Sequence, residues 1–217
     1  METMHVRRRA RTLRRMMAVA VWVGLGAVAM GQESMASEKL PAPGTYKIDS
    51  DHTFVYFSAW HWVVGRVRGR FEQTSGTITV GSEPSACALD IAIETATITT
   101  QNTDRDEDLR GPDFFDVKKF PAMTYQGRGI RRGEGDTWVM DGTLTIRGIS
   151  KAVPLMFRFN GLFANQKPEK PARAAFHATA STKRGDFGMT RDNLFELGTA
   201  KGQDVAIEID VEANEVK

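Results

Sequence analysis

Beyond residue 36, the side chains with chemistry to offer are three histidines, His52, His61 and His177, and two arginine–aspartate groupings, Arg105-Asp106 and Arg184-x-Asp186. Asp49 stands three residues before His52, near enough to hydrogen-bond it and orient it as a general base. No HExxH, paired CxxC, phosphate loop or G-x-S-x-G elbow accompanies them, so hydrolase chemistry has no positive signal. His52 and His61 lie nine residues apart, on opposite sides of one strand-like run. A shared metal would require a bend between them, and a structural or ligand-contacting role is the simpler reading. The arginine–aspartate groupings read first as salt-bridged loops closing one end of a fold, and second as direct substrate contacts. Phe187-Gly188-Met189 adds apolar surface beside Arg184.

These residues must be positioned by strands. Leu89, Ile91 and Ile93 alternate with polar or small neighbours, as do Met140, Leu144 and Ile146, and then Leu155, Phe157 and Phe159. Ala174, Phe176, Ala178 and Ala180 form another such face, with small residues where bulk is expected. Val205, Ile207, Ile209 and Val211 give the cleanest alternation, against Ala206, Glu208, Asp210 and Glu212. Around Phe54 the run is aromatic and branched on both faces, and Gly65 and Gly69 read as breaks in it. The turn-rich 131–136 reads as the loop of a hairpin. No sustained helical period follows the leader. The fold class is therefore all-β, about eight antiparallel strands in a closed barrel or a sandwich. A barrel removes edges and can hold one small ligand, whereas a filled core leaves no room for one; strand pattern alone leaves both open.

One segment, 97–121, interrupts the strands. Asn102 or Thr103 can cap a helix, with Asp106 as a capping-box acid, and Gly111-Pro112 stops it. Phe114, Phe115 and Phe120 are its apolar payload, so this short helical insertion near residues 103–116 reads as a lid or plug.

Residues 1–36 have the layout of a secretory signal: six arginines between 7 and 15, an apolar run from Met16 to Met30, and small residues allowing cleavage after Gly31 or Ala36. The run is short for a membrane span. That segment holds 6 of the 29 Lys+Arg and 2 of the 27 Asp+Glu, leaving 23 against 25, a net charge of −2. The basic character belongs to the leader, and nucleic acid is not an expected partner. Residues 37–43 read as a linker and 44–214 as the barrel. The single Cys87 permits no internal disulfide and reads as a small buried residue.

Several of these residues recur in one family. Tyr46-x-Ile48-Asp49-x-x-His52, Phe57, His61, Gly69-x-Phe71, Thr100, Arg105-Asp106, Leu109, Phe114-Phe115-Asp116 and Phe120-Pro121 form the first half of a pattern. Gly142-x-Leu144-Thr145-Ile146-Arg147-Gly148, Lys151, Arg184-x-Asp186-Phe187-Gly188 and Val205-x-Ile207 complete it. In order and spacing the chain resembles the YceI family of exported lipid- or polyisoprenoid-binding proteins, from about Gly44 to Glu212. The resemblance implies an extended, lipocalin-like eight-stranded antiparallel barrel whose hollow interior holds an isoprenoid or other amphiphilic chain. It implies a periplasmic or secreted protein that is not membrane-integral once the leader is removed. Thr53 departs from the family's frequent serine, and Trp60-His61-Trp62 is bulkier than usual, which would shorten or redirect a tunnel.

The expectation is a non-enzymatic carrier for an isoprenoid, quinone-like or fatty-acid-like lipid, with no cofactor or metal and with a homodimer left open. His52, His61, Arg184 and Asp186 would meet the polar head. Phe54, Phe71, Phe114, Phe115 and Phe187 would form the apolar wall. The rivals are a lipid-modifying enzyme using His52 and Asp49, and a ligand-free interaction barrel.

Overall fold

The first two strands are halves of one long run. The computed structural model describes residues 40–61, 65–164, 170–189 and 203–217, all within the compact unit Ser34–Lys217; the expected leader lies outside them. β1 (Gly44–Ile48) and β2 (Phe54–His61) are separated by one 3-10 turn at Ser50–His52. Both pair antiparallel with β12 (Asp204–Glu215), Ile48 opposite Ala213 and Phe54 opposite Asp210. Five residues on one side, 49–53, thus lie against two on the other, 211 and 212, and the turn absorbs the excess. β3 (Gly65–Phe71) follows β2 back, and β4 (Thr74–Val80) follows β1. Gly69 lies inside β3 rather than breaking it, because the ring of Phe57 on β2 packs into the space where a Cβ would sit.

β5 (Ala88–Glu94) pairs with β4, and the short β6 (Ile98–Thr99) pairs with β3. β7 (Ala122–Arg128), β8 (Arg131–Arg132), β9 (Trp138–Ile146), β10 (Ile149–Phe163) and β11 (Arg173–Lys183) continue the chain. The order β1-β4-β5-β7-β9-β10-β11-β12 closes through the β1–β12 pairing. This is the expected eight-stranded antiparallel barrel, with β2, β3 and β6 prolonging it towards one end. The 131–136 segment joins β7 to β9 as expected, with β8 laid on β9. The helix, α1 (Thr103–Arg110), stops at Gly111 as expected, and the rest of the 103–116 insertion, with its phenylalanines, follows in a series of turns over 111–120.

Alternation explains the wall. On β12, Ala206, Glu208 and Asp210 are exposed, while Val205, Ile207, Ile209 and Val211 face inward. One cluster, including Tyr46, Ile48, Phe159, Phe176 and Ala213, fills the end where the chain enters and leaves. A larger one, with Val55, Phe71, Ile98, Leu144 and Phe187, occupies the rest.

Tyr125 of β7 ties this wall together. Its hydroxyl donates to the Val153 carbonyl at 2.9 Å and lies 3.2 Å from that of Met140. Burial, with a smaller contribution from the charge of Asp141, pushes its pKa up to about 12. The folded state therefore holds the phenolic proton more tightly than the unfolded chain. Its contribution is whole below about pH 10 and is lost as pH rises towards 12. Tyr125→Phe is expected to cost about 1 kcal/mol at neutral pH and to flatten that alkaline decline. Urea unfolding across this pH range measures both effects.

Candidate ligand cavity and its lid

Inside the ring lies an apolar cavity of about 250 Å³. Its lining runs from Leu40, Val80 and Cys87 at the chain-entry end to Phe115, Phe187 and Met189 at the lid end. Ala59, Ala178 and Ala180 occupy lining positions where a filled barrel needs larger side chains. Among the described lining residues Arg184 is the charged one, set in a 3-10 turn at Arg184–Phe187 that buries Phe187 completely.

The lid is laced to β6. Asn102 is the cap, accepting the Arg105 amide at 2.9 Å. Asp106 does not complete a capping box: it turns inward, is buried, and accepts the Thr100 amide at 2.8 Å and the Thr100 hydroxyl. The Arg105 guanidinium donates to the same hydroxyl and to the Thr100 carbonyl, at 2.7 and 3.1 Å. Arg105-Asp106 is thus a clasp on one threonine. Arg110 reaches the carbonyls of Ala96 and Ile98 at 2.9 and 2.6 Å. Beyond the helix, Phe115 meets Phe71 edge-on at 5.4 Å, and Phe71 meets Phe57 at 5.7 Å. Arg147, at positive φ in the β9–β10 turn, donates to the Phe114 carbonyl.

Asp106→Ala strands two buried donors of Thr100, at a cost of about 1–3 kcal/mol. The loss should be local. Hydrogen exchange is expected to accelerate over residues 98–120 while β10, β11 and β12 keep their protection. Uniform acceleration through the ring would contradict a separable lid.

The histidine chemistry lies elsewhere. His52 Nδ1 sits 3.2 Å from Asp49, and Arg173 spans Asp49 at 3.0 Å and Glu212 at 2.8 Å. Burial opposes ionisation of Asp49, but hydrogen bonds from His52 and Asn214, with the charges of His52 and Arg173, hold its carboxyl below its ordinary value. Asp49, His52 and Glu212 place ligand atoms within 4.8 Å of one another, yet the Arg173 guanidinium already supplies positive charge to both carboxylates. This polar clasp secures the strand break. His177 hydrogen-bonds Asp210 at 2.9 Å between β11 and β12, again at the surface.

Of the residues expected to contact a ligand, Phe71, Phe114, Phe115, Arg184 and Phe187 line the cavity. His52, Phe54, His61 and Asp186 are not among its lining residues. Phe54 stacks on Tyr56 at 6.0 Å on the outer face. The wall of β2 is instead chiefly Val55, Phe57 and Ala59, with Tyr56 also bordering the cavity, since pairing with β12 sets Val55 and Phe57 opposite the inward Ile209 and Ile207. Both faces of β2 are apolar, so alternation alone had no sign there. His61 is exposed at the end of β2, opposite Gly65. Trp60 is absent from the lining and lies beneath the Arg66 guanidinium at 4.7 Å, so its bulk does not narrow the cavity; Trp62 lies outside the described residues. Tyr125, Ala178, Ala180 and Cys87 also belong to the lining, and no site motif marks them in the sequence. The alanine row on β11 was their one legible signal.

A closed eight-stranded barrel with an apolar interior and a helical cover is a cavity-bearing barrel, of the size that encloses one small guest. The chain belongs to the YceI-like domain family, whose model matches residues 46–213. It is 34% identical to Protein YceI of Salmonella newport over 175 residues, covering 79% of this chain and 87% of that protein. The Campylobacter jejuni YceI crystal structure superposes with a TM-score of 0.59 at 28% identity, over 73% of this chain and 90% of that one. Burkholderia cenocepacia BcnA shares the fold, with a TM-score of 0.64 at 18% identity, over 77% and 99% of the two chains. So does a polyisoprenoid binding domain from Saccharophagus degradans, with a TM-score of 0.60 at 14% identity, over 79% and 98%.

Proposed function

We propose that this protein is an exported carrier that holds one long apolar amphiphile, such as a polyisoprenoid, a quinone or a fatty-acid-like lipid, inside its barrel. The observation that carries the reading is the cavity: an apolar lining whose one cation among the described residues, Arg184, lies near the lid. Withdrawing an apolar chain from water contributes roughly 0.8 kcal/mol per methylene before ordering costs. Arg184 would receive the polar head, leaving the tail to run towards Val80 and Cys87. Family membership and the fold shared with a polyisoprenoid-binding domain support the ligand class. The signal-like layout of residues 1–36 supports export to the periplasm or beyond, and no helix among the described residues is long and apolar enough to cross a membrane.

Carriage is favoured over enzymology by placement: the Asp49–His52 pair is not part of the cavity lining, so it could not act on a guest held there. Native mass spectrometry of protein exported by its own type of host, followed by solvent extraction, tests the proposal. A stoichiometric isoprenoid or similar amphiphile is expected. Protein that emerges empty and also refuses added quinones and polyprenyl lipids would overturn it.

A further inference from the structure

The outer face of the β2–β3 hairpin carries a layer of aromatic and guanidinium groups, of which Tyr56 also borders the cavity while Phe54, Trp60, Arg66, Arg68 and Arg70 do not. Arg66, Arg68 and Arg70 project from one face of β3, opposite Trp60, Ser58 and Tyr56 of β2 in register. The Arg66 guanidinium lies 4.7 Å from the centre of the Trp60 ring, and that of Arg70 lies 5.8 Å from Phe54. Arg66 and Arg68 are exposed, and Tyr56 is 36% exposed. Acids border the layer without filling it: Glu72 pairs with Arg70 at 2.9 Å, Glu208 stands opposite Tyr56 on β12, and Asp210 is engaged by His177. The inner face of the same β2 is cavity wall, through Val55, Phe57 and Ala59.

We infer that this face docks on an anionic phospholipid bilayer. Guanidinium groups bind phosphate in a fixed fork, and tryptophan and tyrosine favour the water–lipid boundary, where one end is wet and the other apolar. A row of arginines backed by flat aromatic rings meets both demands, and the charge is complementary to an anionic surface. Docking would hold the β2 wall of the cavity against the lipid reservoir. The inference extends the carrier reading by saying where cargo is exchanged, and it fails separately from it.

Sedimentation of the purified, cargo-free protein with vesicles is the test. Vesicles containing phosphatidylglycerol are expected to bind it at low salt, more weakly as salt rises, and phosphatidylcholine vesicles at least ~tenfold less well. The double variant Arg66→Ser/Arg68→Ser should lose ~tenfold or more of that partition, and Arg66→Lys/Arg68→Lys should keep most of it. Arg128→Ser/Arg131→Ser removes the same charge from the opposite end of the barrel and should leave partition unchanged. Retinol titration in solution, without vesicles, should be the same for all these proteins, which separates docking from cargo binding. Equal partition onto both kinds of vesicle, no loss in the Arg66/Arg68 serine variant, or an equal loss in the Arg128/Arg131 variant would each overturn the assignment. The arginines would then serve only to shield a strand edge.

Discussion

Ala178→Phe is expected to weaken retinol binding on the order of 100-fold while leaving the melting temperature unchanged or slightly raised. Ala178 is buried on β11, between Phe157 of β10 and Ile209 of β12 in register, and its methyl lines the cavity. A benzyl group there occupies guest space. Displacing about four methylenes at roughly 0.8 kcal/mol each removes about 3 kcal/mol, a factor of ~100 in affinity. Stability offers an independent reading. In a filled barrel the added ring would overpack the core and cost about 1–3 kcal/mol, whereas a hollow one accepts it. Fluorescence titration and thermal unfolding on the same sample decide. Unchanged affinity would mean that retinol sits elsewhere, and a large drop in melting temperature would mean that the cavity is not available space.

Gly76→Ala should be the most damaging single methyl in the barrel wall. Gly76 lies within β4, opposite Ile91 of β5, at φ +135°. A Cβ there would stand 2.1 Å from the Asp90 carbonyl oxygen and 2.9 Å from the Ile91 Cα, both backbone atoms. Neither can retreat without prising β4 from β5, one of the pairings that close the ring. The cost is roughly 3 kcal/mol or more, lowering the melting temperature by about 6–12 °C for a domain of this size. Gly135→Ala is the matched comparison: its φ is +60°, but nothing lies within 4 Å of the added methyl. It should cost about 1 kcal/mol. Comparable losses in urea unfolding would show that backbone conformation, and not the clash, sets the effect.

The strands were legible because most have one polar face. β12 alternates without a fault, and its Val205, Ile207, Ile209 and Val211 all line the cavity. β5, β9, β10 and β11 were read from the same signal. β2 was not, because Phe54, Tyr56 and Trp60 on its outer face are as apolar as Val55 and Phe57 within, and only pairing with β12 tells the faces apart. The lid was placed correctly but its acid was misread: Asp106 sits at the capping-box spacing, yet it answers to Thr100, whose approach depends on how β6 leaves β3. His52 drew notice as chemistry because histidine beside aspartate reads as a catalytic pair. The groups that hold Asp49 in another role, Arg173 and Asn214, with Glu212 on the far side of Arg173, stand more than a hundred residues away in the chain. Hollowness itself was only hinted at, by alanines on β11, because an empty volume is a property of several strands at once.

The strand break at Ser50–His52 also separates length from girth. Closure of the ring depends on β1 against the last residues of β12, while β2 uses the earlier ones. Residues added in pairs to β2, β3, β10, β11 and the first half of β12 would leave strand number and closure as they are. Each added pair extends the bore by about 7 Å. Such a barrel is a gauge of fixed calibre and adjustable depth, in which the tail length of the guest is set by how far these strands run past a single turn.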